Sequence, residues 1–436
     1  MMGSAVRKLR KAKGIKQADL ATDAGLTVKQ LIDIERRDAP VNDDRREKLA
    51  SLLGVLPQAL ETPALVGVAR QEAEEICTTI CNALLNSFRA AREAIARPLS
   101  VPAEPTAREK ITDRPLADDP TERIDDATSR AIKETILRES EGDGHPFKKG
   151  IDYIDEEKGH RRFPAAYAGA GPPQFCVFVD SADDTSQFRR NLGGTSLISV
   201  YHHDFGWICA AALDATHARL FSAIRGLLPT ALQLPQAFSP DGSNQARALH
   251  LGPSGRTTLK GSCANLYLGK PYRVLEAAAN CAVLLSEDSG VKEILSFGGS
   301  RGGLLCAQGL VDFAVEMRGF RLIDCIAGLL IARDSGCTVV DENGKAFSFG
   351  VDRKLEQALA TNLSGTIVGY VTQYRRKFIC AATETLAQQV QQKIRPSTKP
   401  PPVEATGVPH QKGNDTTAGA DSVQTYGKKK AEKNHK

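Results

Sequence analysis

Apolar residues recur at helical spacing through the first sixty residues: Leu9, Leu20 with Ala21, Leu31 with Ile34, then Leu49, Leu52 and Leu53. Gly14, Gly25 and Gly54 punctuate them, so the pattern predicts a compact set of short helices over residues 5–60. From Pro63 to Ala96 it lengthens into one helix, with Val66, Ala69, Ala73, Ile76, Ile80, Leu84, Leu85 and Phe88 on a common face. A polar stretch with Pro98, Pro102, Pro105, Pro115 and Pro120 breaks regular structure, and another helix is predicted over 127–137. Strands and hairpins follow at 175–179, 196–201 and 208–212. Helical and strand patterns then alternate to about Lys393. The tail, 394–436, is rich in Pro, Lys, Gly and Thr and nearly free of large apolar side chains, so it is expected to be disordered.

A length of 436 residues suits two domains, and 41% hydrophobic with 25% charged residues allows a sizeable core. The longest clean apolar run, 325–332, is far short of the roughly 18 residues a membrane span needs, so no membrane is expected. The N-terminus is basic without the apolar region of a secretory signal. The ten cysteines form no CxxC pair, and Cys77 and Cys81 read as buried helical thiols, which fits a reducing cytoplasm. The net charge of +5 is segregated. Residues 1–60 carry a surplus of four positive charges and residues 391–436 a surplus of five, so the middle is acidic. Basic ends favour polyanion contact, and an acidic centre favours metal or acid-base chemistry.

Two segments carry recognisable chemistry. Gln17 to Gly25 followed by Thr27 to Arg37 has helix-turn-helix form, with Thr27 and Gln30 spaced for a capping box. The second is Val177-Phe178-Val179-Asp180-Ser181-Ala182-Asp183-Asp184-Thr185, where a buried-type strand ends in Asp180 and a second carboxylate follows three residues later. Oxygen-only ligands suit Mg²⁺ or Mn²⁺ rather than zinc. Asp155-Glu156-Glu157 lies upstream, and Asp324 opens the apolar run Cys325-Ile326-Ala327-Gly328-Leu329-Leu330 downstream. The phosphate-loop-like Gly252-Pro253-Ser254-Gly255-Arg256-Thr257-Thr258 lacks the required spacing and reads as a surface turn. His202-His203 reads as polar hairpin surface.

The amino-terminal residues resemble the phage-repressor (Cro/CI, or XRE) helix-turn-helix family: Leu9-Arg10, Gln17-Ala18-Asp19-Leu20-Ala21, Gly25, Ile34-Glu35-Arg36 and Leu53-Gly54-Val55. That resemblance implies binding of double-stranded DNA, with Gln17, Thr27, Val28, Lys29, Gln30 and Asp33 at the interface and Arg10 near phosphates. Arg37 departs from the family's glycine after the second helix. Residues 64–393 resemble the inositol monophosphatase family through the GEE-like Asp155-Glu156-Glu157, the DPxDGT-like Asp180 to Thr185 and the WDxAAG-like Ile323-Asp324-Cys325-Ile326-Ala327-Gly328. Asp125 and Asp126 resemble its early TxAD segment.

This second resemblance implies a layered α-β-α-β-α sandwich, an α/β fold placed after a small all-α domain of residues 1–60. It implies a Mg²⁺-dependent phosphatase using two or three ions, with Mn²⁺ as an alternative, on a small polyol, sugar or nucleotide phosphate. Glu156, Asp180, Asp183, Asp324 and the carbonyl of Ala182 would hold metal. Thr185 with Glu157 or Asp155 would activate water, and Asp184, Thr185 and Glu316 would meet the substrate. Ser181, Asp184 and Ile323 depart from the family's proline, glycine and tryptophan. Asp184 would set a carboxylate against a phosphate, which favours an alternative: a transcriptional regulator whose phosphatase-like domain senses a phosphorylated metabolite without cleaving it. Both resembled families commonly pair, so a cytoplasmic homodimer is expected.

Overall fold

The computed structural model describes residues 6–53, 65–96, 123–163, 173–183, 194–235, 246–349 and 353–394, with short interruptions that include Glu157. Asp184, Thr185 and residues 395–436 lie outside the described residues, as do the expectations that fall on them.

Among the described residues, helical positions at 6–7 and 10–11 precede helices α1 (Gln17–Asp23), α2 (Val28–Arg37) and α3 (Asp43–Leu53). They close around Val6, Leu20, Ala21, Leu31, Ile34, Leu49 and Leu53, the residues whose spacing predicts them. Gly25 makes the tight turn between α1 and α2 at a φ of 68°, a conformation that costs a side-chain-bearing residue free energy.

Two long helices follow, α4 (Val68–Ala96) and α5 (Arg123–Ser140). The first sheet contains β1 (Ile151–Asp155), β2 (Gly159–Phe163), β3 (Phe175–Asp183), β4 (Thr195–His202), β5 (Gly206–Asp214), β6 (Arg219–Ile224), β7 (Thr230–Gln233) and β8 (Arg247–Leu249). Its order is β2-β1-β3-β4-β5-β6-β7-β8, with β1 and β3 parallel and the other neighbours antiparallel. The chain continues through β9 (Cys263–Leu266), α6 (Pro271–Asn280), β10 (Glu293–Leu295), α7 (Arg301–Ala307), β11 (Phe313–Arg321) and α8 (Leu322–Asp334). Then come β12 (Thr338–Val340), α9 (Arg353–Ala360), α10 (Ser364–Gln373), β13 (Arg375–Ala381) and α11 (Glu384–Lys393). The second sheet runs β10-β9-β11-β13-β12.

Alternation along β3 explains the layers. Phe175, Val177 and Val179 pack with Ile76, Ile80 and Leu84 of α4 and Ile132 and Ile136 of α5. Cys176 and Phe178, on the opposite face, join Ile323, Ile326, Leu329 and Leu330 of α8. The far face of the second sheet, with Phe313, Val315 and Ile379, packs on Leu386 and Val390 of α11. The order is therefore helix, sheet, helix, sheet, helix. Lying between two sheets, α8 is buried from Leu322 to Ala332, and so its sequence shows no polar stripe. Ile394, expected to begin the disordered tail, instead packs into the outer core beside α11. His202, expected on a polar surface, is buried against Phe175, and burial holds its imidazole pKa down.

Candidate functional site

The helix-turn-helix surface comes from the opening turn of α2. Its capping box is present: the Gln30 amide donates to Thr27 Oγ1 at 3.1 Å and the Thr27 amide donates to Gln30 Oε1 at 2.9 Å. Leu31 and Ile34 are buried, while Thr27, Val28, Lys29 and Gln30 are exposed and Asp33 is half-buried. One oxygen of Gln30 is thus engaged in the cap. Arg10 and Gln17 sit differently from the expectation of phosphate contact. Arg10 is buried and donates to both Glu35 oxygens at 2.6 and 3.1 Å, and Gln17 Nε2 donates to Glu35 Oε2 at 2.7 Å. This network pins the segment before α1 to α2.

The acidic cluster is assembled by three separate stretches. Parallel pairing of β1 with β3 sets Asp155 beside Val179, and the Glu156 amide donates to Val179 O at 3.1 Å, so Glu156 lies alongside Asp180. The strand was expected to end at Asp180. It runs on to Asp183 because β4 continues to pair with it across a register shift between the two aspartates. Asp324 enters from the first turn of α8, which packs against both sheets. The result is that carboxylate oxygens of Glu156, Asp180 and Asp324 lie within 4.8 Å of one another.

Arg321, which sequence reasoning did not single out, completes this group. Its Nη1 donates to Glu156 Oε1 at 2.6 Å and its Nε to Asp324 Oδ2 at 2.7 Å. The only sequence signal was a cation three residues before Asp324 at a helix start. Asp180 Oδ2 and Asp324 Oδ1 are buried and have no hydrogen-bond partner among the described residues. Orphaned buried carboxylate oxygens are costly unless something cationic meets them. Three hard oxygen donors with two such orphans fit a Mg²⁺- or Mn²⁺-type cation, which Glu156, Asp180 and Asp324 would hold.

Asp183 faces a neighbouring turn: its Oδ2 accepts from Thr195 Oγ1 and from the Ser300 amide, both at 3.2 Å. Gly299 passes so close that a Cβ there would sit 1.6 Å from the same oxygen. Ser300 Oγ donates to Asp324 O at 2.7 Å, tying this turn to α8. The sequence reading also missed the Gly299-Ser300 turn, whose partners are remote in the chain. The Ala182 amide donates to Asp180 Oδ1 at 3.3 Å. Asp155 accepts from Ser129 Oγ, Tyr153 Oη and the Lys158 amide, which makes it a brace between β1 and α5. Glu316 caps its own bulge in β11, accepting from the Arg318 and Gly319 amides, and its Oε2 is buried without a partner among the described residues.

Electrostatics follow the geometry. Burial first, then Glu156, Asp183 and Asp324, push the Asp180 carboxyl well above the usual range. Burial pushes Asp324 up to about 6, with Arg321 opposing, and pushes Glu316 up to about 7. Burial works against the Arg321 charge, yet Asp324 and Glu156 outweigh it and hold the guanidinium more firmly protonated than usual. A second grouping, Asp152, Cys176 and His203, is differently balanced. Arg162 donates to both Asp152 oxygens and His160 bonds to one of them, so the carboxylate already has its counter-charge.

Among the described residues, no helix is long and apolar enough to cross a membrane. No curated protein matches the chain. The chain is similar to many solved structures, among them three of archaeal and bacterial proteins. A hypothetical protein from Pyrococcus horikoshii with similarities for inositol-1 monophosphatase is 18% identical, covering 71% of this chain and 96% of that one at a TM-score of 0.45. The extragenic suppressor protein suhB from Bartonella henselae is 14% identical, covering 73% and 98% at 0.48. An inositol monophosphatase from Anabaena (Nostoc) is 14% identical, covering 74% and 98% at 0.47. At these values the likeness says nothing of activity. At the other end of the chain, residues 6–60 match the helix-turn-helix family, so the chain begins with a helix-turn-helix domain.

Proposed function

We propose that this chain is a metal-dependent phosphomonoesterase carried behind a DNA-binding head, with domains at residues 1–60 and 64–393. The observation that carries the enzyme reading is the convergence of Glu156, Asp180 and Asp324, with buried oxygens of both aspartates left without partners among the described residues. A divalent cation in such a cage supplies the charge that lowers the pKa of a water and stabilises a leaving phosphate oxygen. Two or three Mg²⁺ ions are proposed, with Mn²⁺ as a substitute, and Asp183 and the Ala182 carbonyl as further ligands. Thr185 and Glu157 orient the attacking water and accept its proton in this scheme; with Asp155 occupied as a brace, Glu157 is the better base. Asp184 and Glu316 would face the substrate, a small polyol, sugar or nucleotide phosphate.

Phosphate release from a panel of such monoesters is the test. Release is expected with Mg²⁺, should cease in a chelator, and should be lost in Asp180→Asn. A folded wild-type protein that releases no phosphate from the whole panel overturns the enzyme reading.

One observation favours the second reading, a non-catalytic sensor: Arg321 already forms ion pairs with both Glu156 and Asp324. There, a phosphorylated metabolite would shift DNA affinity and be recovered unchanged. Thr27, Val28, Lys29 and Gln30 present the DNA surface, with Gln17 and Asp33 beside them, and α2 is the helix proposed to enter the major groove. Binding of duplex DNA, measured by anisotropy, is expected to weaken in Lys29→Ala. Two half-sites call for a homodimer, which light scattering checks.

A further inference from the structure

We infer that Arg321 is a resident counter-cation of the acidic cluster, one that a divalent metal has to displace, and that its displacement sets the metal affinity of this chain. The inference rests on the reading of Glu156, Asp180 and Asp324 as metal ligands.

Arg321 occupies the point where β11 passes into α8. Its backbone is extended there (φ −63°, ψ 153°) and pairs with Arg375 of β13, so the Cα is fixed from both sides. The side chain alone is left to move. It reaches Asp324 on its own helix, three residues on, and Glu156 from a stretch 165 positions away. Its side chain is 18% exposed, and those of Glu156 and Asp324 are 11% and 6% exposed, so little water screens the group.

The guanidinium fits this place imperfectly. It satisfies one oxygen each of Glu156 and Asp324, yet among the described residues Asp180 Oδ2 and Asp324 Oδ1 still lack partners. One guanidinium thus bonds to two of three clustered carboxylates. A dication would meet those orphaned oxygens and carry more of the needed charge, but it would be repelled by a guanidinium bonded to two of its own ligands. Arginine cannot escape by losing its proton, so it has to swing away. A displaced guanidinium presents a planar fork of donors suited to a phosphate. Arg321 thereby links metal arrival to phosphate capture, because phosphate holds the side chain in its displaced position.

The experiment is calorimetric titration of the full chain with MnCl₂, with and without inorganic phosphate, for wild type, Arg321→Ala, Arg321→Gln and Asp180→Asn. Circular dichroism first establishes that each variant is folded, and the glutamine, which keeps hydrogen-bonding capacity and bulk, serves if the alanine is not. The neutral variants are expected to bind Mn²⁺ about tenfold more tightly or better, following loss of one nearby positive charge. Phosphate should tighten Mn²⁺ binding in wild type and do so less in the neutral variants. If a folded neutral variant binds Mn²⁺ no more tightly than wild type, Arg321 only positions the carboxylates and the inference is overturned, while the metal site stands. If neither wild type nor any variant binds Mn²⁺, the metal site falls and the inference with it.

Discussion

Asp180→Asn is expected to stabilise the protein without metal and weaken it relative to wild type when metal is present. The carboxylate oxygens of Glu156 and Asp324 lie within 4.8 Å of that of Asp180. At an effective dielectric constant of about 20, each repulsion at that distance costs about 3.5 kcal/mol, and attraction to Arg321 offsets roughly one of the two. Solvent relaxation and partial protonation reduce the remainder, so the gain should be about 1–3 kcal/mol at pH 8. The sign follows from the raised Asp180 pKa. The folded state holds the proton more tightly than the unfolded chain, so this group's contribution to stability falls as pH rises above its ordinary value of 3.8. The variant's advantage should therefore shrink toward pH 4. Thermal denaturation followed by circular dichroism in a chelator should show a melting temperature a few degrees higher for the variant. In excess Mg²⁺ the order should reverse, since a site filled at about 1,000 times its dissociation constant adds about 4.1 kcal/mol to wild type alone. Equal stabilisation of both proteins by Mg²⁺, or a less stable variant in chelator, would refute the reasoning.

Three further outcomes are expected. Glu316→Gln should raise stability at pH 8 by up to about 3 kcal/mol and have no effect below pH 4, because burial lifts this carboxyl from 4.5 to about 7 and its contribution declines across that window; melting temperatures against pH check it. Arg10→Met should destabilise the amino-terminal helices by about 3–5 kcal/mol, since it leaves Glu35, whose side chain is 1% exposed, as an uncompensated buried charge; denaturant unfolding of the variant measures this. Gly299→Ala forces a Cβ onto Asp183 Oδ2 at a φ of 59°, so a loss of about 2–4 kcal/mol and weaker Mn²⁺ binding should appear together.

Local pattern made the buried strand at Phe175–Val179 legible, because both of its faces pack against helices and its apolar run is continuous. The capping box of Thr27 and Gln30 was equally local, a matter of three residues. Asp324 could be placed at a helix start from the apolar run that follows it. Arg321 could not be given a role, since its bond to Glu156 spans 165 positions and depends on how β11 and β1 are brought together. The same holds for Ser300, whose amide reaches Asp183 across 117 positions. The bulge in β3 escaped too, because what extends the strand to Asp183 is pairing with β4 rather than any property of Asp180-Ser181-Ala182. Asp155 follows the same rule: beside Glu156 in sequence, it lies on the other face of β1, where Ser129 and Tyr153 donate to it, and that bracing is not legible from the acidic run alone.

Diffraction from crystals grown with MnCl₂, recorded at the manganese absorption edge, examines the acidic cluster itself. An anomalous peak within bonding distance of Glu156, Asp180 and Asp324, with the Arg321 guanidinium withdrawn from at least one of its carboxylates, is the predicted result. A map with no peak there, and Arg321 still bonded to both Glu156 and Asp324, would contradict it.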